Sequence, residues 1–585
     1  MSDSIKHECG IAVIRLRKPL QYYIDKYGTP LYAANKLYLL MEKQHNRGQD
    51  GAGVINIKLD MPPGYQYIFR HRSIETAAIA DIFKKVQKSF TKGFAMPDAE
   101  KTNADWLKMN VDYSGEVWLG HLRYGTHGEN TIEACHPMLR LNNWRSRNLA
   151  VAGNFNMTNV EELFNKLVDL GQNPKEKADT VTVMEKIGHF LDEEVQRQFD
   201  MLKPNLTNKE ISDAIEANID LQRVLQRSCR DFDGGYAMAG LTGYGGVFVA
   251  RDPSGIRPAY YYADDEVVVI ASEKPAIKTA FGIEYSEIKE IEPGHALIVD
   301  KAGNYAQKQF TEPREKLSCS FERIYFSRGT DPDIYRERKT LGKLLVPQIL
   351  EAIDYDIEHT VFSYIPNTAE TAFLGMVSGI EAAIMENPEK FGNPNSIAAL
   401  KPRVEKLVIK DAKLRTFITD DAHRDDLVSH VYDTTYEVIE KGVDTIVVID
   451  DSIVRGTTLE KSILTMLNRL GAKRVIIVSS APQIRYPDCY GIDMSKVKEF
   501  VAFRAMIALI KETGKEALLE EVYQTCKTAL ANTGGKEANY VKPLFDSFGY
   551  EEVSKKIAEI VTPAVMTAEV KVVYQTIENL HIACP

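Results

Sequence analysis

Residues Thr445 to Thr458 read Thr-Ile-Val-Val-Ile-Asp-Asp-Ser-Ile-Val-Arg-Gly-Thr-Thr, and no other stretch constrains the chain as tightly. Ile446, Val447, Val448 and Ile449 are four consecutive β-branched residues with no polar face. That pattern belongs to a strand covered on both sides, inside a parallel sheet. The run stops abruptly at Asp450 and Asp451. A Ser/Thr/Gly loop follows, and Thr457-Thr458-Leu459-Glu460 reads as a capping box opening a helix. The helix is predicted to bury Ile463, Leu464, Leu467 and Leu470, to end at Gly471, and to hand over to a second strand at Val475–Val478. The result is a βαβ unit.

Open α/β sheets bind ligands beyond the carboxyl ends of their strands, which places Asp450 and Asp451 in a site. The loop from Ser452 to Thr458 offers backbone N–H groups, hydroxyls and a helix N-terminus, a combination that suits a phosphate. A phosphate on the loop with a vicinal diol or Mg²⁺ on the aspartates describes a sugar phosphate. The chain has no Gly-x-x-x-x-Gly-Lys-Ser/Thr, so a nucleoside triphosphate cradle is not expected. The bland alternative, a core strand ending in an acidic turn, does not explain the loop and helix that follow.

The run resembles the phosphoribosyl-diphosphate (PRPP) signature of type I phosphoribosyltransferases, and it is most similar to that of the amidophosphoribosyltransferases. The resemblance implies that Asp450 and Asp451 bind ribose hydroxyls and Mg²⁺. It implies that Ser452, Arg455, Gly456, Thr457 and Thr458 belong to the 5-phosphate loop. Lys410 matches a PRPP-binding position. Thr368, in Tyr364-Ile365-Pro366-Asn367-Thr368, matches a turn that contacts Mg²⁺ or diphosphate.

The N-terminal half carries a second set of motifs. Cys9-Gly10-Ile11-Ala12-Val13 sets a cysteine directly before an apolar strand. If residues 1–8 were removed as a propeptide, Cys9 would hold both a thiol and an α-amine. The amine, with a pKa of about 7.7–8.0, could serve as the base for its own thiol. A small buried hydrophobe is the commoner fate of a lone cysteine. Further on, Gln44-His45-Asn46-Arg47-Gly48-Gln49-Asp50-Gly51-Ala52-Gly53 reads as a tight loop that brings backbone close to a neighbour. Together these resemble glutamine amidotransferases of the N-terminal-nucleophile type. The family writes Gln-His-Arg-Gly-Gln without the interposed Asn46.

By that resemblance Cys9 is the nucleophile, Arg47 belongs to the glutamine site, and Arg123, in Gly120-His121-Leu122-Arg123-Tyr124-Gly125, holds the α-carboxylate. Asp179 binds the amino group. Gly153-Asn154-Phe155-Asn156 matches the family's His-Asn-Gly-Asn, so the Asn154 side chain and the Phe155 amide would form the oxyanion hole. Phe155 stands where the family has glycine. A backbone donor survives the change, but a Cβ disfavours positive φ.

Two other departures bear on function. Residues 419–433 replace a basic, closing loop with an acidic segment whose cationic donors are Arg424, His423 and His430. Of the four cysteines that hold an iron–sulfur cluster in some relatives, only Cys319 has a match and Cys489 is offset by one, so no iron–sulfur cluster is expected.

With 72 basic against 82 acidic residues the chain carries net charge −10, which argues against a nucleic-acid or anionic-membrane partner. No apolar run reaches 18 residues, no signal-peptide pattern opens the chain, and seven scattered cysteines suit a reducing cytoplasm. The expectation is an αββα four-layer amidotransferase domain over 9–310, a parallel α/β phosphoribosyltransferase domain over 311–506, and a mainly helical region over 507–585. The implied reaction turns glutamine, PRPP and water into 5-phosphoribosylamine, glutamate and diphosphate, the opening step of purine synthesis. A homo-oligomer, dimer or tetramer, and inhibition by purine nucleotides go with it. Two alternatives stand beside it: a homologue with a different acceptor chemistry, and a non-catalytic purine-nucleotide-binding regulator.

Overall fold

The structure is a computed structural model that describes residues 9–124, 131–391, 400–410, 432–488, 490, 497–533 and 538–585. The leader 1–8, Gly125 to Gly128, most of the acidic 419–433 segment and Cys489 lie outside the described residues.

Two antiparallel sheets build the N-terminal half. The first runs, in spatial order, Lys289–Glu290, Tyr260–Ala263, Val267–Ala271, Gly10–Leu16, Val117–Arg123, Gly51–Ile57 and Ile68–Ser73. The second runs Tyr305–Gln309, His295–Val299, Val247–Arg251, Gly234–Thr242, Leu149–Met157 and Met138–Arg140. Side chains alternate along each strand. On Gly10–Leu16, Ile11 and Val13 face the second sheet, while Ala12, Ile14 and Leu16 face helices Tyr32–Glu42 and Ala78–Phe94. On Leu149–Met157, Ala150 and Ala152 face inward, and Leu149, Val151 and Met157 pack under the helix Asp179–Leu202. Both sheets are therefore sandwiched, which gives the expected αββα layering. Residues 60–115, which carry no motif, supply an edge strand and an outer-layer helix whose Ile82, Val86 and Phe90 are buried.

The C-terminal half is a parallel sheet ordered Arg403–Val404, Thr360–Tyr364, Thr445–Asp450, Arg474–Ser479 and Glu569–Tyr574. Its middle strand behaves as its composition demands. Ile446 and Val448 enter the core on one face, Val447 and Ile449 the core on the other, and all four are fully buried. Each such side chain contributes about 1.5–3 kcal/mol by leaving water, so strand position and register are strongly fixed. The two carboxylates at its end are fixed with them.

Two expectations need correction. The capping box at Thr457 is not formed: Thr457 and Thr458 are already helical, the chain enters through Gly456 at φ +75°, and a π-turn spans Leu459–Ile463 before Leu464–Asn468. The division at residue 506 is not kept either. The helix Val501–Glu512 crosses it, the helix Tyr550–Val561 packs into the same core, and Glu569–Tyr574 pairs as the outer strand of the sheet.

Candidate functional site

Cys9 sits at the start of the central strand of the first sheet, half-buried, beside the end of Val117–Arg123. Burial pushes its thiol up to about 11, opposed by the Tyr124 backbone and by the Arg123 guanidinium and reinforced by Asp179. A thiol in that state is not a nucleophile near neutrality until a base takes its proton. Arg123 is buried and donates from Nη1 to the Thr131 carbonyl at 3.4 Å. Asp179 opens the helix Asp179–Leu202, where the dipole favours a carboxylate, and accepts the Thr180 N–H at 2.6 Å. The Arg123 cation and the Asp179 carboxylate both lie close enough to act on the thiol electrostatically.

The glycine loop does what its composition suggests. A Cβ on Gly48 would lie 2.6–2.8 Å from the backbone of Leu122 and Arg123, one on Gly51 would lie 2.7 Å from Cys135 Sγ, and one on Gly53 would lie 2.0 Å from the His136 carbonyl oxygen. Gly53→Ala forces that carbonyl away and is expected to cost about 1–3 kcal/mol of stability, read by thermal unfolding.

Asn154 continues the inward parity of Ala150 and Ala152 and is buried in the space between the sheets. The direction of the Phe155 amide follows from the ladder. Tyr236 donates its N–H to the Asp252 carboxylate at 3.2 Å and accepts the Asp252 N–H at 2.8 Å on its carbonyl. Facing residues of an antiparallel pair exchange both bonds or neither. Phe155, opposite Tyr236, therefore aims its N–H at the far edge, which Met138–Arg140 covers only as far as Val151. Phe155 lies in extended strand, so the left-handed backbone that would penalise a side chain is not used. One residue before Asn154, the backbone of Gly153 is held through both its N–H and its carbonyl. Its N–H donates to His136 Nδ1 at 3.3 Å and its carbonyl accepts from His121 Nε2 at 3.1 Å.

Arg47 is placed differently from the expectation. It is fully buried, donating from Nε to Glu273 at 2.7 Å and from Nη1 and Nη2 to the Glu322 carboxylate at 3.0 and 2.8 Å. The additional Asn46 accounts for the turn, since its side-chain amide donates to Glu273 and to the Phe326 carbonyl. Arg47 thereby ties the glycine loop to the segment joining the two halves, and is not presented to a glutamine pocket.

At the second site, Asp450 ends the middle strand of the parallel sheet. Ser480, just beyond the neighbouring strand, donates its N–H to the Asp450 carbonyl at 2.9 Å and its hydroxyl to the Asp451 carbonyl at 3.0 Å. Asp451 accepts the Ser452 hydroxyl at 3.0 Å on its carboxylate. Burial pushes Asp451 up to about 6, opposed by Ser452 and by the charge of Arg338. Thr368 lies in the turn after Thr360–Tyr364, at the same sheet edge. Lys410 ends the strand Val408–Lys410; its side chain is outside the described part.

The C-terminal segment, silent in sequence, forms the back wall of the phosphate-type loop. Val501 N–H donates to the Val454 carbonyl at 2.9 Å, Arg455 pairs with Glu499 at 2.9 Å, and a Cβ on Gly456 would meet Val561 at 2.9 Å. Arg338, whose charge acts on Asp451, carries no signal in the sequence. It is buried, anchored on the Arg323 and Ser327 carbonyls, and its proton affinity is lowered to about 10, chiefly by burial. Nothing in Tyr335-Arg336-Glu337-Arg338-Lys339 distinguishes it from its basic neighbours.

The Asp450–Asp451 pair fits a hard divalent cation. Mg²⁺ is held by one or two carboxylates, with waters and substrate phosphates completing its shell. The raised proton affinity of Asp451 marks a buried charge that its own surroundings leave under-compensated.

No family model matches the chain. Among curated proteins it is 28% identical over 494 residues to the amidophosphoribosyltransferase of Bacillus subtilis (strain 168), a match spanning 82% of this chain and 83% of that one. It is 26% identical over 492 residues to that of Methanocaldococcus jannaschii, spanning 81% and 86%. Among solved structures, glutamine PRPP amidotransferase from B. subtilis complexed with ADP and GMP aligns with a TM-score of 0.61 at 22% identity, over 98% of this chain and 92% of that one. The shared fold extends across both halves.

Proposed function

The chain is a homologue of the amidophosphoribosyltransferases over 82% of its length, and on that premise we propose that it makes 5-phosphoribosylamine from glutamine, PRPP and water. Cys9 attacks the side-chain amide of glutamine. Asn154 and the Phe155 amide receive the oxyanion, and Arg123 and Asp179 hold the amino-acid end. Ammonia leaves, water hydrolyses the thioester to glutamate, and ammonia displaces diphosphate from PRPP at the second site. There Asp450 and Asp451 take the ribose hydroxyls, and Ser452, Arg455, Gly456, Thr457 and Thr458 take the 5-phosphate. Lys410 contributes from the neighbouring hairpin. Asp450 and Asp451 would hold Mg²⁺ beside Thr368, and when bound the ion neutralises the leaving diphosphate. A cytoplasmic homo-oligomer inhibited by purine nucleotides goes with this reading; among the described residues no helix is long and apolar enough to cross a membrane.

One observation carries the proposal. A single chain holds a flanked thiol at the end of one sheet and an acid pair with a hydroxyl- and glycine-bearing loop at the end of another, joined through the buried Arg47–Glu322 pair. The test is turnover with glutamine and PRPP. Glutamate and diphosphate should appear in equal amounts, with ammonia able to replace glutamine. PRPP left intact with either nitrogen source would overturn it.

The acid pair also sets a pH signature. The folded-state proton affinity of Asp451 is raised to about 6 from 3.8, so the fold favours its neutral form. That contribution is full below 3.8 and is lost as pH rises through about 6. Mg²⁺ binds the ionised pair, so it should raise the melting temperature clearly near pH 7.5 and hardly at all near pH 5. Calorimetry at the two pH values, with and without Mg²⁺, checks this.

A further inference from the structure

We propose that His136 is a positioning residue that sets both ends of the glutamine site from one ring. The inference rests on the glutaminase reading above and goes beyond the residues that reading names.

The family motif has a histidine where this chain has Gly153 and a glycine where it has Phe155. The exchange is concerted. A Cβ on Gly153 would lie 2.5 Å from the Phe155 ring, so that ring fills the space a side chain at 153 would need. An imidazole arrives instead from the loop before Met138–Arg140. His136 stacks on Phe155 with ring centroids 6.0 Å apart and lies 4.3 Å from the His121 ring. Gly53, bare beneath the His136 carbonyl, lets that loop lie directly on the first sheet.

The hydrogen bonds of His136 admit a single proton arrangement. Nδ1 accepts the Gly153 N–H at 3.3 Å, so the ring proton resides on Nε2. Nε2 then donates to Thr180 Oγ1 at 2.7 Å. The Thr180 hydroxyl proton is left to point at Asp179 Oδ1, 3.2 Å away. Burial, with His121, Arg123 and Arg72 nearby, keeps the ring neutral. A directed line thus runs from the N–H of Gly153, the residue before Asn154, to the carboxylate proposed to bind the amino group. It spaces the oxyanion donors relative to the amino-acid anchor, and it needs no contact between His136 and substrate.

The test is steady-state glutaminase kinetics with four variants. His136→Gln keeps an acceptor and a donor, and Thr180→Ser keeps the hydroxyl; both should stay within about three-fold of the parent. His136→Leu and Thr180→Val break the line and should raise KM for glutamine about ten-fold or more, with His136→Leu also lowering kcat. The double variant should be no worse than His136→Leu alone, because one line is cut twice. Ammonia-dependent activity and melting temperature report folding. Unchanged glutamine KM in a folded His136→Leu, or additive losses, overturns the proposal. A parent that releases no glutamate refutes the glutaminase reading instead. In that event ¹⁵N shifts of the His136 ring still decide the inference: a neutral Nε2–H tautomer from about pH 6 to 8 supports it, and an Nδ1–H ring or an imidazolium sinks it.

Discussion

Cys9→Ala is expected to stop glutamate release altogether, by roughly 10⁴-fold or more, while PRPP still yields diphosphate when ammonia is supplied. The separation follows from the architecture. Cys9 stands at the end of the first antiparallel sheet, and the acid pair stands at the end of the parallel sheet built by the other half of the chain. The substitution removes one sulfur from a half-buried position next to Gly10 and disturbs no core packing. Rates with glutamine and with ammonium chloride, measured on one preparation, check it. If both rates fall together, the two sites do not divide the work as described.

The second large effect belongs to Asp451. Asp451→Asn keeps the shape of the side chain and its bond from Ser452, yet removes the charge. Ammonia-dependent transfer should fall roughly 10²–10³-fold, the usual cost of losing one preorganised electrostatic contact. Glutamine hydrolysis in the absence of PRPP should be unaffected. The same substitution removes a buried carboxylate pushed up to about 6, so the variant should melt higher than the parent near pH 7.5 without Mg²⁺ and should lose the Mg²⁺ response. A transfer rate equal to the parent's would remove Asp451 from the site.

The parts of the fold that could be read in the sequence are those whose physics is local. Ile446–Ile449 admits hardly any environment but a doubly covered strand, and its end therefore locates the carboxylates. Gly48, Gly51 and Gly53 announce close backbone approaches because nothing larger fits where they lie. What escaped detection depends on distant partners. Arg47 reads as a ligand until Glu322, 275 positions away, is seen to meet it. Glu569–Tyr574 lies at the edge of its sheet, and its alternating charges hide a strand in a stretch that otherwise resembles helix. His136 carries no motif at all, and its importance lies in two bonds, to residues 17 and 44 positions on, and one stacked ring.

The loop after the acid pair leans on Val501 and Val561, and its sheet is closed by Glu569–Tyr574. During synthesis, the strand bearing Asp450 therefore emerges more than a hundred residues before the strand that completes its sheet. The αββα layers can fold as they leave the ribosome, whereas the end of the parallel sheet that carries the acid pair must wait for translation to pass residue 574. On the proposed function, a nascent chain arrested before that point would carry a source of ammonia and no acceptor for it.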